Sequence, residues 1–198
     1  MLDLFLLKPS DEVLIEQSNM LQAMACGVAR KNCLYLSGPI TTGENFLEWY
    51  VKIGREIRNI SEQYKVAIRS DVIKKNENKI IAIAKNLRKN KRCSVIEPGS
   101  LLMESWSQKD YLHFWLRVLE EFATSVYMVD GWQFSVGCAT EFRYATSRGL
   151  LIFSERGNPI TPTAGEMMIL AAADKIDKIS AGDELLNDLA NNLRMGRH

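Results

Sequence analysis

Short apolar runs closed by polar or turn residues recur along the chain, at Cys33-Leu34-Tyr35-Leu36-Ser37, Ser94-Val95-Ile96-Glu97, Ser125-Val126-Tyr127-Met128-Val129 and Leu150-Leu151-Ile152-Phe153. Runs of this kind, with little polar alternation, have the profile of strands buried on both faces. Between them, apolar residues fall three or four apart, the spacing of amphipathic helices. Residues 10–30 carry Val13, Leu14, Ile15, Met20, Leu21 and Met24 behind a Ser10 or Asp11 cap, with Gly27 as a stop. A helix from Glu44 would turn Phe46, Leu47, Tyr50, Val51, Ile53 and Ile57 inward. Ile80, Ile81, Ile83, Ala84 and Leu87 make one face of another, whose outer face holds Lys79, Lys85, Arg88 and Lys89. Residues 107–123 present Leu112, Trp115, Leu116, Leu119 and Phe122, and further helices are predicted at 135–147, 163–179 and 183–194. Tyr64–Ile68 reads as one more short strand.

Strands alternating with amphipathic helices predict right-handed βαβ units and an α/β three-layer sandwich around a mostly parallel sheet. One domain over 1–198 is expected, with its core at about 33–153 and extra helical extensions at 1–32 and 159–198. Ligands in such sheets bind beyond the carboxyl ends of the strands. Three turns occupy those ends, Ser37–Gly43, Pro98–Gly99 and Asp130–Gly137, and they are expected to converge on one cleft.

Composition narrows the possibilities. A formal charge of +1 argues against a broad commitment to nucleic acid or anionic membrane. A local basic segment, from Lys74 to Arg92, sets eight cations against Glu77 and leaves a nucleic-acid-associated protein as a third functional class. No aromatics are interleaved with those charges, so a solvated helix face accounts for them better. Cys26, Cys33, Cys93 and Cys138 show no metal-ligand or CxxC spacing and read as reduced thiols of a cytoplasmic protein. Of two histidines one is His198, at the end of the sequence, so no metal site is expected, and no cofactor is indicated. The apolar run Met1–Leu7 contains Asp3 and is followed by Pro9, unlike a signal peptide. No stretch approaches the roughly 18 apolar residues of a membrane helix.

Two of the three turns carry candidate chemistry. Ser37-Gly38-Pro39-Ile40-Thr41-Thr42-Gly43 combines two glycines and three hydroxyls with a helix start, which suits an anion, although a tight turn with capping hydroxyls explains it equally well. It is neither a Walker loop nor GxGxxG. The turn Asp130-Gly131-Trp132-Gln133-Phe134-Ser135-Val136-Gly137 leads into a helix, with Ser135 as N-cap and Gly137 removing bulk from its first turn. Glu141 follows six residues after Ser135, about 9 Å along a helix. That is close to the separation between the 5′-phosphate and the anomeric carbon of a sugar. A solvated or arginine-paired acid is the plainer reading of Glu141, and Trp132 and Phe134 serve equally for stacking on a base or for packing the loop.

Leu34-Tyr35-Leu36-Ser37-Gly38-Pro39-Ile40, taken with Val129-Asp130-Gly131-Trp132-x-x-Ser135-x-Gly137-x-x-x-Glu141-x-x-x-Ala145-x-x-x-Gly149, resembles the nucleoside 2-deoxyribosyltransferase-like superfamily. The resemblance implies a Rossmann-like or flavodoxin-like fold and cleavage or exchange at an N-glycosidic bond, with Glu141 as the nucleophile. Ser135 matches the position at which nucleotide hydrolases have serine, so the implied substrate is a nucleoside 5′-monophosphate. Gly38, Thr41, Thr42 and Gly43 would add phosphate contacts beside Ser37, Asp130, Trp132 and Gly137, and Tyr35 matches an active-site aromatic. The family places an acid in the helix before the Asp130 strand. Arg117 stands there in a rough alignment, so Asp110 and then His113 are the candidate general acids, with Glu120 also in reach. The resemblance further implies a homodimer. The rival reading is a nucleotide-binding or sensing domain without turnover.

Overall fold

The computed structural model describes residues 8–90 and 94–195, so the apolar run Met1–Leu7, Lys91, Arg92, Cys93 and His198 lie outside the described residues. Strand β1 (Cys33–Ser37) is buried at every position and forms the centre of the sheet. It pairs in parallel with β2 (Ser94–Ile96) on one side and with β3 (Ala123–Met128) on the other, and β4 (Leu151–Ser154) completes the order β2-β1-β3-β4. The chain leaves β1 toward β2, then crosses back over β1 to reach β3. This reversal puts the topological switch point between β1 and β3, where open parallel sheets bind ligands.

Alternation along β1 divides the core. Cys33 and Tyr35 join the larger apolar cluster, with α6 (Gln108–Phe122) and α7 (Val136–Ser147), whereas Leu34 and Leu36 face Ile80 and Ala84 of α5 (Lys74–Asn90). Each fully buried leucine or phenylalanine of these layers contributes about 1.5–3 kcal/mol of transfer free energy. Helix α1 (Asp11–Gly27) starts at Ser10, whose hydroxyl accepts from the Val13 N–H, and packs through Leu21. Its Ile15, expected inside, is 63% exposed. At the far end, α8 (Pro162–Ser180) and α9 (Glu184–Met195) bury Ile169, Ile176, Leu186 and Leu193 against the same core.

The connection from β1 to β2 departs from expectation. Helix α2 (Glu44–Trp49) runs through a π-helical turn at Tyr50–Gly54 into α3 (Arg55–Ile57). The wider turn rotates the inward face, so Phe46, Leu47 and Tyr50 are buried while Val51 and Ile53 are 44% and 46% exposed. Tyr64–Ile68 is no strand: it belongs to α4 (Ser61–Ile68), which passes through a second π turn (Arg69–Ile73) into α5. The reason is its periodicity. Tyr64, Ala67 and Ile68 pack on the core together with buried Val72, a helical stripe, and the Tyr64 ring lies 5.3 Å from that of Trp49. Val66, which a buried strand would have covered, is 69% exposed.

Candidate functional site

Glu141 lies on the second turn of α7, and that helix packs on the face of the sheet to which Tyr35 and Ser37 point. The Tyr35 hydroxyl donates to Oε1 at 2.8 Å and the Ser37 hydroxyl donates to Oε2 at 2.5 Å. The carboxylate is therefore tied to the residue immediately before the Gly38-Pro39 bend, and is neither solvated nor paired with an arginine. It is also sealed, at 6% exposure. Burial pushes its pKa from 4.5 up to about 7, and the bonds from Ser37 and Tyr35 pull in the opposite direction without restoring the ordinary value. Burial, reinforced by the neighbouring Glu141, raises the Tyr35 phenol well above its usual range. The same two causes push Cys138, one turn before Glu141, up to about 12, so this thiol is not an activated nucleophile.

The flanking loops have the shape the glycines demand. Gly43 has φ +92°, and a Cβ there would fall 2.6 Å from Pro39. Gly131 also has φ +92° and lies against Glu44, so the first and third turns touch. A Cβ on Gly38 would come within 2.9 Å of Ile80 and 3.0 Å of Val129. Ser135 caps α7 by accepting from the Cys138 N–H at 3.4 Å, and the space over Gly137 is open apart from that hydroxyl, 3.9 Å from an added Cβ. Thr41 and Thr42 are half-buried on the first loop, which is held by Asn76: its amide donates to the carbonyls of Ile40 at 2.9 Å and Thr42 at 3.2 Å. Asp130 is exposed; its N–H donates to Glu155 and its carbonyl accepts from Lys79.

Other expected residues have structural positions. Trp132 is 2% exposed, with its ring 4.9 Å from Phe142, so it packs the core. Asp110 forms a capping box with Ser107 at the start of α6. Its backbone carbonyl also accepts from Gln17. His113 is buried with Nδ1 2.7 Å from Gln17 Oε1, and its pKa is lowered by burial and then by Arg117. Neither Asp110 nor His113 bonds to Glu141. Glu120 binds the Tyr144 hydroxyl and Arg148, while Arg117 pairs with Glu121. From α6 it is Trp115 that approaches Tyr35, with ring centroids 6.1 Å apart.

Residues 70–154 match the model of a domain of unknown function, DUF4406. The matched segment is less than half of the chain; it includes Glu141 and the Asp130 turn but not β1 with Tyr35 and Ser37. No curated protein and no solved structure matches the chain.

A crevice of about 100 Å³ also opens at the carboxyl edge of the sheet, lined by Asn45, Asn76, Lys79 and Asp130 over Ile80 and Val129. Those two apolar residues belong to the α5-side cluster, so the crevice and Glu141 lie on opposite sides of β1. Its volume is below the roughly 300–1,000 Å³ of a drug-sized ligand site. Of the basic segment, Lys79 pairs with Glu155 and Arg88 binds the Val95 carbonyl, which ties part of it to the fold. No helix among the described residues is long and apolar enough to cross a membrane, and no cluster of potential metal ligands occurs among them.

Asn76 was missed by sequence reasoning. A signal existed: Asn76, Ile80 and Ala84 are spaced by four and are the buried positions of α5, so a polar residue sits in phase with an apolar stripe. Buried there, an amide needs partners, and it takes them from the first loop.

Proposed function

We propose that this protein breaks the N-glycosidic bond of a nucleoside 5′-monophosphate, by hydrolysis or by exchange of the base, with Glu141 as nucleophile. One observation carries the reading. A carboxylate sealed from water, poised near neutrality and held by two hydroxyl donors stands beside the switch point of a parallel sheet. The donors fix its orientation, as a nucleophile attacking one face of a sugar ring requires. Ser135 and the open first turn at Gly137 supply the phosphate end, with N–H groups directed outward from the helix start. Because Glu141 is buried, substrate entry requires the surrounding structure to move. The chemistry requires no cofactor.

The test is to incubate the protein with a panel of ribo- and deoxyribonucleoside monophosphates and measure liberated base. Wild type releases base from at least one, and Glu141→Ala abolishes release while a thermal shift with that nucleotide persists. Failure to release base from any member refutes the enzymatic reading.

A second reading, nucleotide binding without turnover, is favoured by the positions of Asp110 and His113, which are bonded away from Glu141. Thermal stabilisation by a nucleotide without base release would establish it. The resemblance that suggests the chemistry also carries a homodimer, which light scattering on the purified protein tests, and the scattered cysteines carry a cytoplasmic location, which fractionation of cells tests.

A further inference from the structure

We infer that Lys175 is a releasable clasp that holds the first and third turns together and so governs access to Glu141; of the reading above, the inference rests only on the need to reach that carboxylate. The two turns meet at two levels. At their roots, the buried hydroxyls of Ser37 and Ser135 both hydrogen-bond with the Cys138 thiol, one turn before Glu141. Ser37 also donates to the Glu141 carboxylate. Nearer the solvent, Gly131 lies against Glu44, the first residue of α2. Lys175 of α8 joins the turns at this outer level. Its ammonium donates to Glu44 Oε1 at 3.0 Å and stands 5.1 Å from the centre of the Phe134 ring. Glu44 directly follows Gly43 and Phe134 directly precedes Ser135, so one side chain spans the ends of both turns.

The ties on the two turns differ in strength. The first turn is pinned by Asn76, a buried amide that donates to the Ile40 and Thr42 carbonyls. Breaking those bonds would strand buried polar groups, which is costly. The side chains of Lys175 and Glu44 are 57% and 45% exposed, and an ion pair of that kind is weak and screened by salt. The contact of the ammonium with the Phe134 ring adds a comparable amount. Release at Lys175 therefore costs little, and it frees the third turn from the pinned first turn. Segments that move to admit a ligand are drawn from the weakly held parts of a fold.

The experiment follows the Cys138 thiol, which is buried between the roots of the two turns and held protonated, with its pKa pushed up to about 12, so that its alkylation reports opening. Iodoacetamide is a neutral reagent, so salt does not steer its approach. Peptide mass spectrometry reads Cys138 and Cys33 in the same sample. Cys33 is buried at the opposite end of β1 and reports global unfolding.

K175M keeps the aliphatic stem and removes the charge. It should label Cys138 about three- to tenfold faster than wild type, the combined worth of one exposed ion pair and one cation–ring contact, with Cys33 unchanged. E44Q retains the ring contact and should give a smaller gain. Sodium chloride at about 0.5 M should speed Cys138 labelling in wild type and leave the K175M rate nearly unchanged. A K175M rate at Cys138 within about 1.5-fold of wild type, or an equal acceleration at Cys33, overturns the clasp and leaves the glycosidic reading standing. Absence of base release across the nucleotide panel overturns the glycosidic reading, while the labelling rates decide the clasp by themselves.

Discussion

Replacing Glu141 by glutamine should make the protein more stable at pH 8 relative to its stability at pH 4.5, and the size of the gain follows from where the carboxylate sits. In the unfolded chain this group ionises near 4.5; in the folded protein burial holds it at about 7. A folded pKa above the unfolded one means that the folded state binds the proton more tightly. Stability is thus fully present below pH 4.5, falls as pH rises through the interval from 4.5 to 7, and stays low above it. The difference of about 2.5 pKa units, at 1.36 kcal/mol each, corresponds to roughly 3 kcal/mol. Glutamine cannot ionise, so its variant lacks this loss. It also exchanges one acceptor for a donor, and either Tyr35 or Ser37 must turn its hydroxyl to accept, which adds a penalty independent of pH.

The decisive quantity is therefore the change with pH of the stability difference between E141Q and wild type. Every other titrating group is common to both proteins and cancels. Urea unfolding from pH 4.5 to 8.5 should show the difference moving in favour of E141Q by about 3 kcal/mol, most of it between pH 5 and 7. In thermal melts that corresponds to a relative Tm change of roughly 6–12 °C for a chain of this size. A difference that stays constant within about 1 kcal/mol over this range would refute the claim that the Glu141 carboxylate is closed off from water.

Asp110→Ala removes the capping box of α6 and should cost about 1 kcal/mol in urea unfolding, while base release per folded molecule is unchanged because Asp110 does not touch Glu141. Gly165→Ala should destabilise strongly, by about 3 kcal/mol or more, since the new methyl would fall 1.9 Å from the Phe142 ring where α8 crosses α7; a urea midpoint within error of wild type would contradict that packing.

The sheet was legible because its strands are short apolar runs with turn residues after them, although only β1 is buried at every position and Leu151 of the edge strand β4 is exposed. Cys33–Ser37 needed no further context. The first crossover was not so clear. Tyr64, Val66 and Ile68 look like strand residues in a five-residue window, and only the longer spacing to Val72 shows the helical stripe. Val51 and Ile53 were misplaced because a π turn changes the phase of a helix without any distinctive residue to announce it. At the site, the approach of the first and third turns was legible from two short windows, since both lie at strand ends that the topology brings together; that Glu141 is buried and bonded to Tyr35 and Ser37, rather than solvated or paired with an arginine, was not. The buried, unpartnered oxygen of Glu97 was not legible: at the end of an apolar run the residue reads as a strand terminus, and the state of its carboxylate is a property of three dimensions.

Stability alone gives no reason for the composition of β1. A strand buried at every position could be apolar throughout, yet it carries two hydroxyls on the face toward α7. Buried without a partner, each would cost about 1–3 kcal/mol. Glu141 satisfies both, but its own removal from water is opposed by about 3 kcal/mol at neutral pH. Three apolar side chains of similar volume would avoid both penalties, as replacement of buried ionic groups by hydrophobic ones often does. The polar trio is thus a local conflict between fold and stability, set beside the one place in the sheet where the strand order reverses. Conflicts of this kind are where function is expected to reside, and the acid that the trio holds is the group on which the glycosidic reading depends.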